Sequence, residues 1–283
     1  MVTVVKCGSG GVSVELVCAD VAALRAQGRA VVLVHGGADD IDLLAGRLGV
    51  EQRRLVGPSG VSSRYTDAAT LEVLTLALAG RAKPRLLTLL ARRGVTAIGL
   101  TGLDARLLRA VRKPAVRAVI DGRTVVVRDD HSGRITRVNV GLLHMLLAAG
   151  LVPVVSPPAI TEEGHLVNVD ADRVAAAIAG AVGADHLVLL TDAPGVLADP
   201  SDERTLLPRL ALKRDGRPGV FAFSGIAAHG GMGLKLVAGH EALAAGVRMV
   251  TVADGRRPRS IQAALEGGGT VVELDPRSPR CAR

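Results

Sequence analysis

The chain opens with MVTVVKCGSGG (residues 1–11), an apolar, largely β-branched run that ends in a lysine and a cluster of glycines. A second run of the same kind, AVVLVHGG, occupies residues 30–37. Neither run alternates apolar with polar residues, which predicts strands buried on both faces, as in a parallel sheet covered by helices. We therefore expect strands at Val2–Cys7 and Ala30–His35, joined by a helix over residues 13–27.

The rest of the chain continues to alternate short β-branched runs with alanine- and leucine-rich stretches. Further helices are predicted to end near residues 48 and 93 and to span residues 66–79, 140–149, 170–182, 234–245 and 260–265. Further strands are predicted at residues 151–155, 186–190, 248–252 and 270–274, with hairpins or loops in 50–65, near 121–122, near 163–164 and over 198–231. This order is typical of βαβ units. The expected fold class is α/β, a three-layer αβα sandwich with a mainly parallel central sheet.

The composition excludes several classes of protein. Of the 283 residues, 48% are apolar and 22% are charged, which favours a globular core over disorder. Aromatic residues make up only 1%, so the chain cannot build a base-stacking surface for single-stranded nucleic acid. Its three cysteines lack paired spacing, which argues against a disulfide framework and a zinc site. No apolar run reaches the ~18 residues of a membrane span, and no signal peptide is recognised. We therefore expect a cytoplasmic protein with no membrane or nucleic-acid partner.

Three glycine clusters are candidate anion sites: KCGSGG (residues 6–11), HGG (35–37) and GGMGLK (230–235). Glycine lets backbone N–H groups approach an anion, and the first and third clusters each add a lysine, Lys6 and Lys235. A single glycine turn is more often structural, but three of them with two lysines favour polyphosphate binding. Neither the Rossmann nor the P-loop motif is present. Both lysines are expected on glycine loops at the surface of a cleft.

Two polar clusters each allow two interpretations. In NVDAD (residues 168–172), Asp170 and Asp172 can cap a helix, or Asn168 can bind substrate while Asp172 orients the lysines. In RYTD (residues 64–67), Arg64 can clamp a carboxylate, but an arginine before a helix is more often a solvated charge. The spacing alone leaves both alternatives open.

In this order the clusters, together with LTDAPG (residues 190–195), resemble the motifs of the amino acid kinase family over nearly the whole chain. They are most similar to the branch of N-acetylglutamate kinases and of kinases that act on aminoadipate or glutamate carried by a LysW-type amino-group carrier protein. Tyr65 favours the carrier-dependent kinases. Two loops depart from the family pattern: KCGSGG replaces the usual Lys-x-Gly-Gly-Ser, and Ala38 replaces a third glycine after His35.

The resemblance implies in-line transfer of a phosphoryl group from ATP, accompanied by Mg²⁺, to a side-chain carboxylate, which gives an acyl phosphate. Lys6 and Lys235 would be the catalytic cations and Asp172 would organise them, with no dedicated metal site on the protein. The implied organisation is a single domain (residues 1–283) with an acceptor lobe at about 1–183 and an ATP lobe at about 184–283. The implied binding residues are Gly36, Gly37, Arg64 and Asn168 for the acceptor, and Gly8, Ser9, Gly10, Thr191, Asp192, Gly195 and Met232 for ATP.

The net charge of +8 points to an acidic partner, and charge alone does not choose among nucleic acid, an anionic membrane surface, a phosphorylated ligand and an acidic protein. The resemblance identifies it as an acidic LysW-type carrier, and two groups of basic residues could dock it, with solvated faces as the alternative. These groups are Arg47, Arg53 and Arg54, and Arg106, Arg109, Arg112, Lys113 and Arg117.

Three further hypotheses follow from the same residues. The same enzyme class could take free N-acetylglutamate as the acceptor, which is the alternative function. A catalytically silent nucleotide-binding regulator is also possible, but the presence of both lysines and Asp172 argues against it. The largely apolar helix over residues 66–79 predicts a homodimer, with burial inside the subunit as the alternative.

Overall fold

The structure, a computed structural model, describes residues 1–8, 10–57, 62–120, 123–212 and 231–275. The strands are β1 (Val2–Cys7), β2 (Ala30–His35), β3 (Arg54–Val56), β4 (Ser62–Arg64), β5 (Ala97–Thr101), β6 (Leu108–Arg112), β7 (Val116–Ile120), β8 (Arg123–Val127), β9 (Gly133–Val138), β10 (Val152–Ser156), β11 (Ala159–Ile160), β12 (Leu166–Val167), β13 (His186–Thr191), β14 (Arg209–Leu212), β15 (Met249–Asp254) and β16 (Thr270–Leu274). The helices are α1 (Val14–Ala26), α2 (Ala38–Leu48), α3 (Ala68–Ala77), α4 (Lys83–Ala91), α5 (Val140–Ala148), α6 (Ala171–Ala181), α7 (Gly231–Ala244) and α8 (Ser260–Leu265).

Within these ranges the central sheet has eight strands in the order β14-β16-β15-β13-β1-β2-β10-β5. Neighbouring strands are parallel except β15 and β16, which are antiparallel. The two runs that decided the fold prediction, β1 and β2, lie side by side in the middle of the sheet, and every residue after the first is buried. The predicted mainly parallel sheet is confirmed.

Helices cover both faces of this sheet. Val5 and Val31 pack into a core shared with α1, α4 and α8, whereas Val4 and Val32 pack into a core shared with α5, α6 and α7. Successive side chains of a strand point to opposite faces, so each central strand contributes to both cores. The three-layer αβα prediction is confirmed.

Shorter strands form smaller sheets. Strands β3 and β4 form one antiparallel hairpin, β7 and β8 form another, and a further sheet has the order β12-β11-β6-β9. The two hairpins share a small core of Leu55, Tyr65 and Ala118. The helical chain continues from α3 through a π-helical turn, Leu78–Ala82, directly into α4.

Several predicted bounds agree with the structure and others do not. Strands β1, β2 and β16 and helix α8 have the predicted limits. Strands β5 and β6 were not predicted, because each spans five residues and carries a glycine or arginines within its apolar run. The loop expected over residues 198–231 contains β14. The turn predicted near residues 121–122 lies outside the described residues.

The third glycine cluster was predicted wrongly as a loop at a strand end. Helix α7 already begins at Gly231, so Met232, Gly233 and Lys235 belong to the helix, and Gly233 is buried in it. Small residues at the start of a helix allow close packing, and the sequence pattern alone does not distinguish this use of glycine from a loop.

Among the described residues, no helix is long and apolar enough to cross a membrane.

Candidate active site

Two ammonium groups and one carboxylate meet where three elements converge. Lys6 lies near the carboxyl end of β1, Asp172 in the first turn of α6 and Lys235 near the start of α7. Lys6 Nζ is 3.1 Å from Asp172 Oδ1, and Lys235 Nζ is 3.2 Å from each carboxylate oxygen of Asp172. The geometry brings these three predicted residues together. The expectation that both lysines lie on glycine loops is wrong, because regular secondary structure holds each of them.

Burial and charge act against each other in this cluster. Burial alone would raise the pKa of the Asp172 carboxyl, but the Lys6 and Lys235 ammonium groups outweigh it and hold that pKa below its ordinary value. Burial likewise acts to lower the pKa of Lys6, but the carboxylates of Asp172 and Asp170 raise it above its ordinary value. The pKa of Lys235 is lowered by burial and by the charge of Lys6. The site is therefore a pair of positive charges held around one ionised carboxylate.

Asp170 caps the helix that carries Asp172. Its Oδ1 accepts a hydrogen bond of 3.0 Å from the backbone N–H of Arg173, as expected for the residue before a first turn. Burial and the nearby Asp172 carboxylate raise the pKa of Asp170. Of the two interpretations of NVDAD, the structure gives capping to Asp170 and lysine contact to Asp172.

The glycine turn after β1 leaves space beside the Lys6 ammonium. A Cβ on Gly8 would lie 3.7 Å from Lys6 Nζ, so a larger residue there would begin to fill this space. Gly10 has φ of +76°, and its N–H donates to Asp39 Oδ2 at 2.9 Å. Gly11 has φ of +86° and packs against Asp192, where a Cβ would come within 3.0 Å of Asp192 Cβ. The predicted ATP residue Ser9 lies outside the described residues.

The remaining predicted ATP residues belong to the C-terminal part of the chain. Thr191 ends β13, and its hydroxyl donates to Asp192 Oδ1 at 3.2 Å. A Cβ on Gly195 would lie 2.6 Å from Thr270 Oγ1, so this glycine is required for close packing. Met232 packs against the core between the sheet and α5–α7. Thr191 and Asp192 therefore lie at the end of β13, Gly195 packs against the start of β16, and Met232 lies in the first turn of α7.

The His35 side chain holds the backbone of the second glycine cluster, residues 35–37. Its Nδ1 lies 2.9 Å from the carbonyl oxygen of Gly36, and because a carbonyl oxygen only accepts, Nδ1 carries the hydrogen. Burial lowers the pKa of His35 to about 4. A Cβ on Gly37 would lie 2.7 Å from Leu78 Cδ2, so the loop is pressed against the π-helical turn. Gly36 and Gly37 are thereby held in one conformation by a neutral imidazole and a packed helix.

A cavity of about 860 Å³ is lined by Lys6, one member of the lysine cluster, and by the predicted acceptor residues. The predicted acceptor residues Gly36, Gly37, Arg64 and Asn168 all lie in its wall. The further cations in its wall are Arg54, Lys113, Arg134 and Arg173.

The two predicted acceptor residues already have partners. Arg64 Nη1 donates to Asp42 Oδ1 at 2.7 Å and also to Gln52 Oε1. Asn168 Nδ2 donates to Thr66 Oγ1 at 3.0 Å. The interpretation of Arg64 as a solvated charge is therefore wrong, because its side chain is only 12% exposed and is held at the cavity wall.

The sequence interpretation missed Ser132 and the segment around it. Ser132 lines the cavity, pairs with Asn168 through a bridge, and is bonded to the buried Asp130. The only local signal is the polar run DDHS (residues 129–132) between two valine-containing strands, which is also typical of an ordinary turn.

No group of three or more His, Cys, Asp or Glu side chains that could hold a metal ion is found among the described residues. The open space beside Lys6 and the glycine turn suit an anionic phosphate chain better than a protein-bound cation.

A family model described as the amino acid kinase family matches residues 1–254. A protein from Thermus thermophilus named LysW-aminoadipate kinase is 40% identical over 272 residues, which cover 96% of this chain and 100% of the relative. An acetylglutamate kinase from Methanopyrus kandleri is 41% identical over 241 residues, which cover 85% of this chain and 90% of the relative.

The fold is also similar to solved structures. The carbamate kinase of Giardia superposes with a TM-score of 0.64 over 97% of this chain and 99% of its own, at 16% identity. That likeness concerns the fold alone.

Proposed function

This chain belongs to the amino acid kinase family and is a phosphotransferase, and from this premise we propose which acceptor it phosphorylates. The acceptor is aminoadipate, or glutamate, whose amino group is held by a LysW-type carrier protein. ATP, accompanied by Mg²⁺, donates the phosphoryl group, and the product is an acyl phosphate. The identity of 40% to the Thermus kinase named for LysW-aminoadipate, over the full length of that relative, supports this acceptor.

The observation that carries the proposal is a cavity whose wall contains both Arg64 and Lys6, the latter a member of the Lys6–Asp172–Lys235 cluster. A dicarboxylic acceptor with a blocked amino group has two carboxylates, one to react and one to be held. Arg64 would hold the second carboxylate, while the first would face the lysines and the nucleotide. Gly36, Gly37 and Asn168 would line the path between them.

The chemistry needs charge stabilisation more than acid–base catalysis. A carboxylate is already ionised at neutral pH, so no side chain has to remove a proton before attack. The bond between the γ-phosphorus and its bridging oxygen breaks as the bond to the carboxylate oxygen forms, and ADP leaves. Lys6 and Lys235 would stabilise the charge on the transferring group, with Asp172 holding both ammonium groups in place.

The same proposal assigns acceptor binding and ATP binding to different lobes of the chain. Residues 1–183 would bind the acceptor, and residues 184–283 would bind ATP, with the glycine turn after β1 between them. Gly8, Ser9, Gly10, Thr191, Asp192, Gly195 and Met232 remain the proposed nucleotide residues.

The carrier would dock near the mouth of the cavity through opposite charge. Of the two predicted basic groups, Arg54 and Lys113 line the cavity. Arg53 instead lies 4.6 Å over the Tyr65 ring and 3.4 Å from Asp67, while Arg106 and Arg109 face Glu162. We therefore place the docking contribution on Arg54 and Lys113, where an acidic carrier arm would be steered toward Arg64.

A homodimer stays a prediction. Most of the apolar face of α3 is buried within the chain, which agrees with the alternative stated for it, but Leu76 is 50% exposed. Light scattering at micromolar concentration measures the assembly, and a mass of one subunit would contradict the dimer.

A coupled assay of ADP release with three acceptors tests the proposed function. The acceptors are carrier-linked aminoadipate, carrier-linked glutamate and free N-acetylglutamate, with Lys6→Met as the inactive control. We expect kcat/KM to be highest with a carrier-linked acceptor and to fall as salt is raised. Efficient turnover of free N-acetylglutamate alone would establish the alternative, which the identity of 41% to an acetylglutamate kinase supports.

A further inference from the structure

The segment before β9 links the two stretches proposed to bind the acceptor. The His131 N–H donates to the Thr66 carbonyl oxygen at 2.7 Å, and the Asn168 N–H donates to the His131 carbonyl oxygen at 2.8 Å. The Gly133 N–H in turn donates to the Asn168 carbonyl oxygen at 2.7 Å. Residues 131–133 therefore lie between the stretch that follows Arg64 and the stretch that contains Asn168, which fixes their backbone at the cavity wall.

Asp130 holds this arrangement from inside. Asp130 is only 2% exposed, and its Oδ2 accepts a hydrogen bond of 3.0 Å from the backbone N–H of Thr66. Its Oδ1 accepts from the backbone N–H of Ser132 at 2.8 Å and from the Ser132 hydroxyl. The carboxylate is thus satisfied by three hydrogen-bond donors from two segments, and the hydroxyl of Ser132 is one of them.

A serine hydroxyl has one hydrogen and two lone pairs. Because Asp130 takes that hydrogen, the Ser132 oxygen is left as an acceptor, and Ser132 lines the cavity. We propose that Ser132 recognises an N–H group of the acceptor, namely the amide N–H created when the amino group of the amino acid is acylated. Asp130 is the positioning residue that fixes Ser132 in this role. The inference rests on the proposed function for the kind of acceptor.

The cations of the cavity wall near Ser132 disfavour a free ammonium group, and the nearest carboxylate, that of Asp130, already accepts three hydrogen bonds. Lys113 and Arg134 line the cavity as Ser132 does. Lys113 is next to Ser132, because its backbone N–H donates to the Ser132 carbonyl oxygen at 2.9 Å. A free amino acid would place its own positive charge beside these cations, whereas an amide offers a donor hydrogen without charge. The pair Asp130–Ser132 would therefore select amino acids whose amino group is already blocked.

The test removes the N–H from the acceptor and the hydroxyl from the enzyme in turn. Two matched pairs of acceptors are used, each an amide and the ester in which oxygen replaces the N–H. One pair is carrier-linked aminoadipate and carrier-linked 2-hydroxyadipate, and the other is N-acetylglutamate and O-acetyl-2-hydroxyglutarate. The ratio of kcat/KM for amide over ester is measured for the wild type and for Ser132→Ala. Since each ratio is taken on one preparation, a partly unfolded variant does not distort it.

We expect the wild-type ratio to be about 5- to 10-fold, the size of one neutral hydrogen bond, and the ratio of Ser132→Ala to fall to within about 2-fold of unity. Ser132→Thr keeps the hydroxyl and should keep the wild-type ratio. Ser63→Ala removes another hydroxyl from the cavity wall and should also keep the wild-type ratio. Within the described part of the chain, no hydrogen bond joins the Ser63 hydroxyl to a carboxylate.

Three outcomes overturn the inference. The first is a Ser132→Ala ratio equal to that of the wild type. The second is a ratio that collapses in Asn168→Ala but not in Ser132→Ala, which would assign recognition of the N–H to the side-chain oxygen Oδ1 of Asn168. The third is a lack of binding of both amides in calorimetry without ATP, which would remove the proposed function as well.

The experiment also distinguishes failure of the proposed carrier-linked acceptor from failure of the Ser132 inference. In that case only the acetyl pair is turned over, and the Ser132 ratio is still measured on that pair.

Discussion

Two cations of the cavity wall, Lys6 and Arg64, each contact a carboxylate, and the two contacts differ in their exposure to water. The side chains of Lys6, Asp172 and Lys235 are 9%, 7% and 10% exposed. At the other contact the Arg64 side chain is 12% exposed, but its partner Asp42 is 56% exposed. At the first contact the cations and the carboxylate are all buried. At the second contact the cation is buried and its carboxylate partner is exposed.

This difference shows which contact is permanent and which can be exchanged. A buried ammonium group that loses its carboxylate becomes an uncompensated charge, which costs several kcal/mol, so the lysine cluster stays assembled. Asp42 gains little from its pairing with Arg64, because water can replace the guanidinium at small cost. A substrate carboxylate can therefore take the place of Asp42 on Arg64.

The largest effect is expected at the buried contact. Lys6→Met or Lys235→Met should lower kcat by roughly 10²–10³-fold, because each removes one preorganised charge from the transferring phosphoryl group. Single-turnover kinetics with saturating acceptor and ATP measures this, with circular dichroism as the control for folding. Near-normal turnover in both variants would contradict the assignment of the catalytic cations.

Acid should weaken the buried side of the cavity through His35. The pKa of His35 is lowered from 6.5 to about 4 by burial, so between these values the unfolded chain binds a proton that the folded chain does not. Its contribution to stability is present above pH 6.5 and is lost as pH falls toward 4, by about 3 kcal/mol at most. Urea unfolding across this range measures the free energy of unfolding. The wild type should lose more stability than His35→Asn, and equal slopes would contradict the prediction.

A smaller effect, confined to one kinetic constant, is expected at Arg64. Arg64→Gln should raise KM for the acceptor by about 10- to 100-fold, the value of a charged hydrogen bond to a carboxylate, with little change in kcat. KM for ATP serves as the internal control and should not move. An equal rise in both KM values would mean that the variant disturbs the fold of the cavity rather than acceptor binding.

The smallest effect, and of opposite sign, is expected for the exposed partner. Asp42→Ala releases Arg64 from its carboxylate, so KM for the acceptor should fall, by about 2- to 5-fold, as expected for an exposed ion pair. The measurement is steady-state kinetics with the acceptor varied at saturating ATP. A rise in KM would show that Asp42 holds Arg64 in position instead of competing with the substrate.

The sequence predicted the parts of the fold that depend on local patterns. Strands β1 and β2 are β-branched, largely apolar runs followed by glycine, and Asp170 is a helix cap that a short window of sequence displays. Strand β5 was missed because Gly99 lies within it. The structure shows why that glycine is there: a Cβ would lie 2.8 Å from Cδ of the buried Lys83.

The site was less predictable because its contacts join distant parts of the chain. Lys6 and Asp172 were recognised through the resemblance of their motifs, but the element that holds Lys235 was not. Asp130 and Thr66 are 64 residues apart in sequence, and no local pattern indicates that one carboxylate will fix both Thr66 and Ser132. Such residues become visible only when the fold brings the segments together.

The chain contains one tyrosine and no tryptophan, and this tyrosine lies next to the exchangeable contact. The Tyr65 hydroxyl donates to Asp129 Oδ2, and the guanidinium of Arg53 lies over its ring. That hydrogen bond, followed by burial, raises the pKa of Tyr65 to about 12. The ultraviolet emission of the whole protein is therefore dominated by a single fluorophore one residue away from Arg64. We expect acceptor binding at Arg64 to change this emission, which a fluorescence titration without an added label would measure.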